Sequence, residues 1–365
     1  MWQRVWSIGV AGLLWCVASR ADDPSGKLQI VTPRDDEIIA TGMNGRGDIV
    51  GFQWEESKQY PGVVDQVPIY VKGKAITRLP LLKGYTATFP AAVSDDGVVV
   101  GRAGKPAPPG VFVPLRNQAF VWDAAGGIRP LGVLEGDAAS FASDITADGR
   151  RISGFSVGEN RVRACYWERA GDGWKATALP HDAQLGSNVV PMSEGGKRIA
   201  SVMGSKPCLW TEEQPGRWKH EFLGEPGSFV PRGVNDAGMV VGVRFTQDGL
   251  LHAMAWTREK GLIEIPRPEG YAKAEANGVN NAGVVVGMID GPGGSKIGPN
   301  AFVYASGKLR ILEEGGPNFT SAVAINDRGQ VTGVFEKPEE EEQKPPAGTI
   351  RAEPKEPVKA PRPER

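Results

Sequence analysis

One short pattern recurs seven times along this chain: a polar residue, two variable residues, a glycine, two more residues, an apolar residue and usually a closing glycine. The copies are Asn44–Gly51, Ser94–Gly101, Thr146–Gly154, Ser193–Ser201, Asn235–Gly242, Asn280–Gly287 and Asn326–Gly333; the third has one shifted position and the fourth is degenerate. Between the aligned glycines at 47, 97, 149, 196, 238, 283 and 329 the spacings are 50, 52, 47, 42, 45 and 46. A period in the forties is the blade length of a four-stranded β-propeller. Helical repeats of this length would need apolar residues at helical spacing, and here the apolar runs are short, β-branched and cut by glycine.

Each copy has a local physical meaning. The Asn or Ser side chain can bond the backbone two residues on, and glycine accepts positive φ, so the pattern is a tight hairpin turn between two strands. A second, aromatic hairpin follows in most repeats. It reads Gln118 to Trp122 before Gly126-Gly127, and its counterparts are Ala164 to Trp167, Pro207 to Trp210, His252 to Trp256 and Asn300 to Tyr304. Ile69-Tyr70-Val71 before Lys72-Gly73-Lys74 is a weaker one. Two hairpins per period make four strands per blade, so the expected fold is all-β, a propeller. Seven first hairpins favour seven blades; six aromatic hairpins leave six as the alternative.

The alternation of an A-I-N-D-x-G-x-V-x-G turn with an H-A-F-x-W-type strand resembles the extracellular HAF-repeat family of bacteria. His252-Ala253-Met254 and Asn300-Ala301-Phe302 sit where that family carries its name-giving tripeptide, and the resemblance covers residues 40 to 335. It implies an exported bacterial protein of propeller-like fold. It carries no established activity and no catalytic residues, so none is transferred. The chain departs from the pattern in its fourth repeat, which lacks the Asn, and no sorting segment of the Pro-Glu-Pro type follows the last repeat.

The two ends differ from the middle. Met1 to Arg4 is positively charged, Val5 to Val17 is almost wholly apolar, and Ala18-Ser19-Arg20-Ala21 offers small residues for cleavage. That is the layout of a secretory signal peptide spanning residues 1–21, cleaved after Ala21, which places the mature chain outside the cytoplasm, secreted, periplasmic or at the cell envelope. A lipid-anchored Cys16 and an uncleaved anchor are the alternatives, although Trp15 stands where lipidation needs a small residue. The apolar stretch is too short to span a bilayer, and no later segment is long and apolar enough to do so. The propeller is expected over 22–335. The last repeat stops after its first hairpin, so Leu28 to Thr32 is expected to pair with it and close the ring, since open edges invite aggregation. Residues 336–365, with Glu339 to Glu342 and a run of prolines, read as a disordered tail.

With 42 Lys plus Arg against 43 Asp plus Glu, nothing draws nucleic acid to the whole surface. No nucleophile elbow, phosphate loop or dinucleotide fingerprint appears, so no catalytic, cofactor or metal residue is assigned. The turns offer one or two oxygen-bearing side chains where a calcium loop needs three or more. Cys165 and Cys208 occupy the same slot in consecutive blades, too far apart to bridge, and read as buried thiols. His181, His220 and His252 are scattered among the repeats. Trp122, Trp167, Trp210 and Trp256 share one repeat position and read as core, whereas Trp54, Trp174 and Trp218, if exposed, could stack on a sugar. Segments expected at the channel, Val279-Asn280-Asn281 and Ile325-Asn326-Asp327, offer small and amide side chains. The reading leans away from an enzyme. It expects an exported, monomeric, non-enzymatic binding or scaffold module for an unknown polymer or protein ligand, a glycan among them. The alternative is a carbohydrate-active or lyase-type propeller enzyme acting at the central channel.

Overall fold

The computed structural model describes residues 21–23, 26–31, 38–56, 64–105, 117–180, 189–293, 297–312 and 319–335. The leader before Ala21, the tail from 336 onward and His181 lie outside these residues. All described regular structure is strand, and hydrogen bonding groups the strands into six sheets of a β-propeller.

The N-terminal segment forms β1 (Ala21–Asp23) and β2 (Gly26–Ile30). The first repeat is β3 (Ile38–Met43), β4 (Ile49–Glu56), β5 (Val64–Lys72) and β6 (Ala75–Arg78). The second is β7 (Ala87–Val93), β8 (Val99–Gly104), β9 (Asn117–Asp123) and β10 (Gly127–Pro130). The third is β11 (Ala139–Ile145), β12 (Arg151–Val157), β13 (Val162–Ala170) and β14 (Gly173–Ala178). The fourth has three strands, β15 (Arg198–Met203), β16 (Lys206–Gln214) and β17 (Arg217–Phe222). The fifth is β18 (Val230–Val234), β19 (Val240–Phe245), β20 (Leu251–Thr257) and β21 (Gly261–Glu264). The sixth is β22 (Lys273–Val279), β23 (Val285–Asp290), β24 (Asn300–Ala305) and β25 (Lys308–Ile311). The seventh keeps only β26 (Phe319–Ile325) and β27 (Gln330–Phe335).

The turns form as their residues dictate. Asn44 Oδ1 accepts the amides of Arg46 and Asp48, and Asn235, Asn280 and Asn326 repeat this with Met239, Val284 and Gln330. Ser94 Oγ substitutes by accepting the amide of Val98. Gly97 (φ 79°) and Gly238 (φ 87°) occupy the left-handed position that closes the turn. Neighbouring turns are stitched together: Asn44 Nδ2 donates to Ser94 O, Asn235 to Asn280 O, and Asn280 to Asn326 O. Asn326 then donates to Asn44 O at 3.0 Å and completes a ring of seven turns.

Closure uses the N-terminus, with two additions to the expectation. β2 pairs with β27 in parallel, Gln29 opposite Gln330 and Ile30 opposite Val331, and β1 folds back on β2 as a second strand. In the complete repeats the third strand follows the second through a loop and must run antiparallel; β2 has no such connection to β27. Leu28 and Ile30 are buried with Phe319, Val331 and Phe335. The largest sheet has eight strands and joins the first and last repeats through one pair, Val334 with Ile39.

The core is a series of layers between neighbouring sheets. Trp122, Trp167, Trp210 and Trp256 are all buried in these layers. Trp218 is buried too, tilted against Tyr166 with ring centroids 5.5 Å apart, so it offers no face to a sugar; Trp54 and Trp174 are partly buried. Cys165 and Cys208 are buried free thiols, and burial pushes the Cys208 thiol up to about 12.

Candidate functional site

Six of the innermost strands carry a β-bulge at one place. The register shifts at Ala40/Gly42, Pro90/Ala92, Ala142/Asp144, Pro231/Gly233, Ala276/Gly278 and Ala322/Ala324. A bulge leaves one residue outside the ladder and re-aims it. The residues so released are Thr41, Ala91, Ser143, Arg232, Asn277 and Val323, and all six line a central cavity of about 800 Å³. The fourth repeat contributes Val189, Pro191, Met192 and Glu194, its inner segment being only an isolated bridge from Met192 to Ile199.

One end of this cavity is the ring of turns, and most of its charge comes from a single repeat position. The residue after the leading polar one is Gly45, Asp95, Ala147, Glu194, Asp236, Asn281 and Asp327 in the seven copies. The ring holds these side chains in place. Gly195 N donates to Asp236 Oδ1, Asp236 N to Asn281 Oδ1, and Asn281 N to Asp327 Oδ1. Asn281 Nδ2 also donates to Asp327 Oδ2 at 2.8 Å. Asp144, just past the bulge of β11, accepts the amides of Ile145 and Met192 and so ties the third repeat to the fourth.

The electrostatics of this end are one-sided. Asp95, Asp144 and Glu194 line the cavity, and among the described residues none of these, nor Asp236 or Asp327, has an ion-pair partner. Three nearby cations are committed elsewhere: Arg46 faces Asp96, Arg150 faces Asp148, and Arg232 lies 2.5 Å from Glu275. Desolvation and then the charges of Asp327, Asp236, Asp95 and Asp144 push the Glu194 carboxyl up to about 7. Asp144 is pushed up to about 6 by desolvation, against the opposing pull of its two amide donors. Glu194 is exposed at the mouth of the cavity, whereas Asp144 is partly buried.

These shifts set a direction for stability. A carboxyl raised in the folded state binds its proton more tightly there than in the unfolded chain, so its stabilising contribution is full in acid and is lost as pH rises through the folded value. For Asp144 and Glu194 that loss falls through about 6 and about 7. The lowered carboxyls, Asp123, Asp137, Glu212, Asp248 and Glu264, act only below the ordinary carboxylate range and leave this window alone. Melting temperature should therefore decline from pH 5 to pH 8, and Glu194→Gln should flatten the decline. A variant profile parallel to that of the wild type in differential scanning calorimetry would show that Glu194 does not set it.

Of the residues singled out in the sequence, Val279, Asn280, Asn281 and Ile325 do line the cavity, and the carboxylates that line it with them are Asp95, Asp144, Glu194 and Glu275. The small and amide side chains expected of these segments are joined at the cavity by carboxylates. His252 lies away from the cavity, its Nδ1 2.7 Å from Glu264 Oε1 in a group that includes Arg244 and Arg267. Among the described residues no group of three or more His, Cys, Asp or Glu is arranged to hold a metal ion. Nor is any described helix long and apolar enough to cross a membrane.

No family model and no curated protein matches the sequence. Solved structures are similar at low identity. The β-propeller domain of the Trilobed protease from Pyrococcus furiosus is 10% identical, with 75% of this chain and 82% of that chain covered and a TM-score of 0.49. A putative TolB from Agrobacterium tumefaciens is 12% identical over 64% of this chain and 81% of that chain, with a TM-score of 0.41. An acylaminoacyl peptidase from Pyrococcus horikoshii is 11% identical over 75% of this chain but only 46% of its own length, with a TM-score of 0.45. Likeness at this level concerns fold and assigns no activity. The functional expectation is corrected to the fold alone, since the similar structures include a protease domain and a peptidase as well as a TolB protein. The non-enzymatic binding or scaffold reading and its carbohydrate-active or lyase alternative are both withdrawn.

Proposed function

We propose that the chain is an exported propeller of the HAF-repeat type whose central cavity takes up an organic cation, an ammonium or guanidinium group, at its acidic end. Export rests on the leader-like residues 1–21, and the family on the recurring turn and aromatic strand. The ligand chemistry rests on one observation: the carboxylates of Asp95, Asp144 and Glu194 line one cavity without a paired cation. An incoming cation would lower the mutual repulsion recorded in the raised Glu194 carboxyl. The reading concerns what the cavity takes up, for turnover or capture alike.

Calorimetric titration with spermine tests it. Binding should be saturable near pH 8 and weaken by about tenfold or more near pH 5.5, where both raised carboxyls carry protons. The double variant Asp144→Asn/Glu194→Gln should bind weakly at both pH values. Equal binding by that variant, or equal binding of an uncharged polyol of similar length, would overturn the proposal.

A further inference from the structure

We propose that Arg102 anchors a planar carboxylate on the inner part of the second repeat. Arg102 follows the closing glycine of its motif, and the residues at that place in the other six copies are Phe52, Phe155, Val202, Val243, Met288 and Val334. A guanidinium thus occupies a position that is apolar in every other repeat.

Its surroundings do not neutralise it. The Cζ atom lies 3.8 Å from the centroid of the Phe89 ring and 6.0 Å from that of Phe141. Phe89 in turn meets Phe52 edge-on, and Phe141 stacks on Phe155 with centroids 4.5 Å apart. One nitrogen, Nη1, donates to Asn117 Oδ1 at 3.0 Å. Among the described residues no carboxylate lies within ion-pairing reach of Arg102, unlike Arg151, Arg161, Arg163 and Arg232. Burial without a countercharge lowers its pKa, with no opposing influence.

An aromatic face and a half-buried side chain leave this cation poorly solvated, and a cation in such a place is stabilised by a bound anion. A guanidinium presents paired N–H groups in one plane, which match the two oxygens of a carboxylate; a tetrahedral anion can use the same fork but brings no apolar body to the phenyl rings. The surrounding phenyl rings suit an apolar body on that carboxylate. The ligand class is therefore a carboxylic acid with an apolar or aromatic portion. This site is independent of the acidic end of the cavity.

Benzoate is the probe. In calorimetric titration and thermal-shift measurements on the full chain, benzoate should bind saturably, while benzyl alcohol and sulfate should bind at least about tenfold more weakly. Arg102→Met restores the apolar character of the other repeats, so it should fold, melt no lower than wild type and lose benzoate binding. Arg102→Lys keeps the charge without the planar fork and should bind in between. Benzoate binding unchanged in Arg102→Met, absence of benzoate binding to wild type, or sulfate binding as tightly as benzoate would each overturn the proposal.

Discussion

Gly242→Ala should destabilise the protein by about 3 kcal/mol or more, although it adds a single methyl group to a strand. Gly242 has no unusual φ; the constraint is steric. A Cβ placed on it would lie 2.0 Å from Val230 O and 3.0 Å from Pro231 Cα. The cause is the bulge of the neighbouring inner strand, which turns a carbonyl toward β19. The same contact recurs at the closing glycine of every repeat with a bulged inner strand. The distance to the opposing carbonyl is 2.0 Å at Gly51, 2.1 Å at Gly101, 2.0 Å at Gly154, and 1.9 Å at Gly287 and Gly333. Both atoms belong to backbone, so no side chain can move aside. The fourth repeat supplies the internal control. Its inner segment lacks a bulged strand, its closing position is Ser201, and the hydroxyl donates to Val189 O at 3.0 Å. Ser201→Gly should therefore cost only about 1 kcal/mol, the value of one hydrogen bond and some backbone freedom. Chemical denaturation of the two variants decides it. A Gly242→Ala midpoint within error of Ser201→Gly would mean that the motif glycine answers to something other than the bulge.

This contrast shows what could be read from sequence. The turns were legible because their chemistry is local: a short polar side chain, a bonded amide and a glycine at positive φ specify a hairpin within four residues. The recurrence of that hairpin then made the propeller legible, and the tryptophan position identified the layers between sheets. The closing glycine was visible as a pattern, but its reason was not, since the carbonyl it avoids belongs to a bulge formed by tertiary packing. For the same reason Thr41, Arg232 and Asn277 could not be placed in the cavity; neighbouring residues on a regular strand would have alternated faces. Most of the acidic end was written in one column of the repeat, Asp95, Glu194, Asp236 and Asp327, with Asp144 outside it, yet the column gains meaning only when seven turns face one axis. Arg102 carried a signal of its own, as a charged residue in an otherwise apolar column, while its missing countercharge is a matter of three-dimensional placement.

The degenerate fourth repeat leads to the second large effect. It has lost the asparagine that stitches turns together, and the Ser193 hydroxyl in its place has no hydrogen-bond partner among the described residues. With an inner segment reduced to one bridge, it depends on its neighbours. Arg151 of β12 supplies the strongest tie: Nη1 lies 2.6 Å from Glu212 Oε2 and 2.8 Å from Gly196 O, both in the fourth repeat. Nη2 meets Glu168 Oε1 at 2.5 Å, and the guanidinium lies over Tyr166 and Trp218 at 5.3 and 5.4 Å. Exposures of 15% for Arg151 and 8% for Glu212 place this pair apart from surface pairs such as Arg46 with Asp96, at 51% and 69%. Removing the arginine strands a buried carboxylate, so Arg151→Met should cost about 2–4 kcal/mol, against about 0.5 kcal/mol or less for Arg46→Met. Adding Glu212→Gln to Arg151→Met should recover about 1–3 kcal/mol of that loss, because the stranded charge is gone. Acid should mimic the loss. The Arg151 guanidinium and the Gly216 amide hold the Glu212 carboxyl below the usual range despite its burial. Its stabilising contribution is therefore full above the ordinary carboxylate value and disappears as pH falls through the lower folded one. In denaturation at neutral pH, strict additivity of the two substitutions would separate Arg151 from Glu212. The fourth repeat would then owe its position to its other contacts, those of Asp144, Asp236 and Ser153 among them.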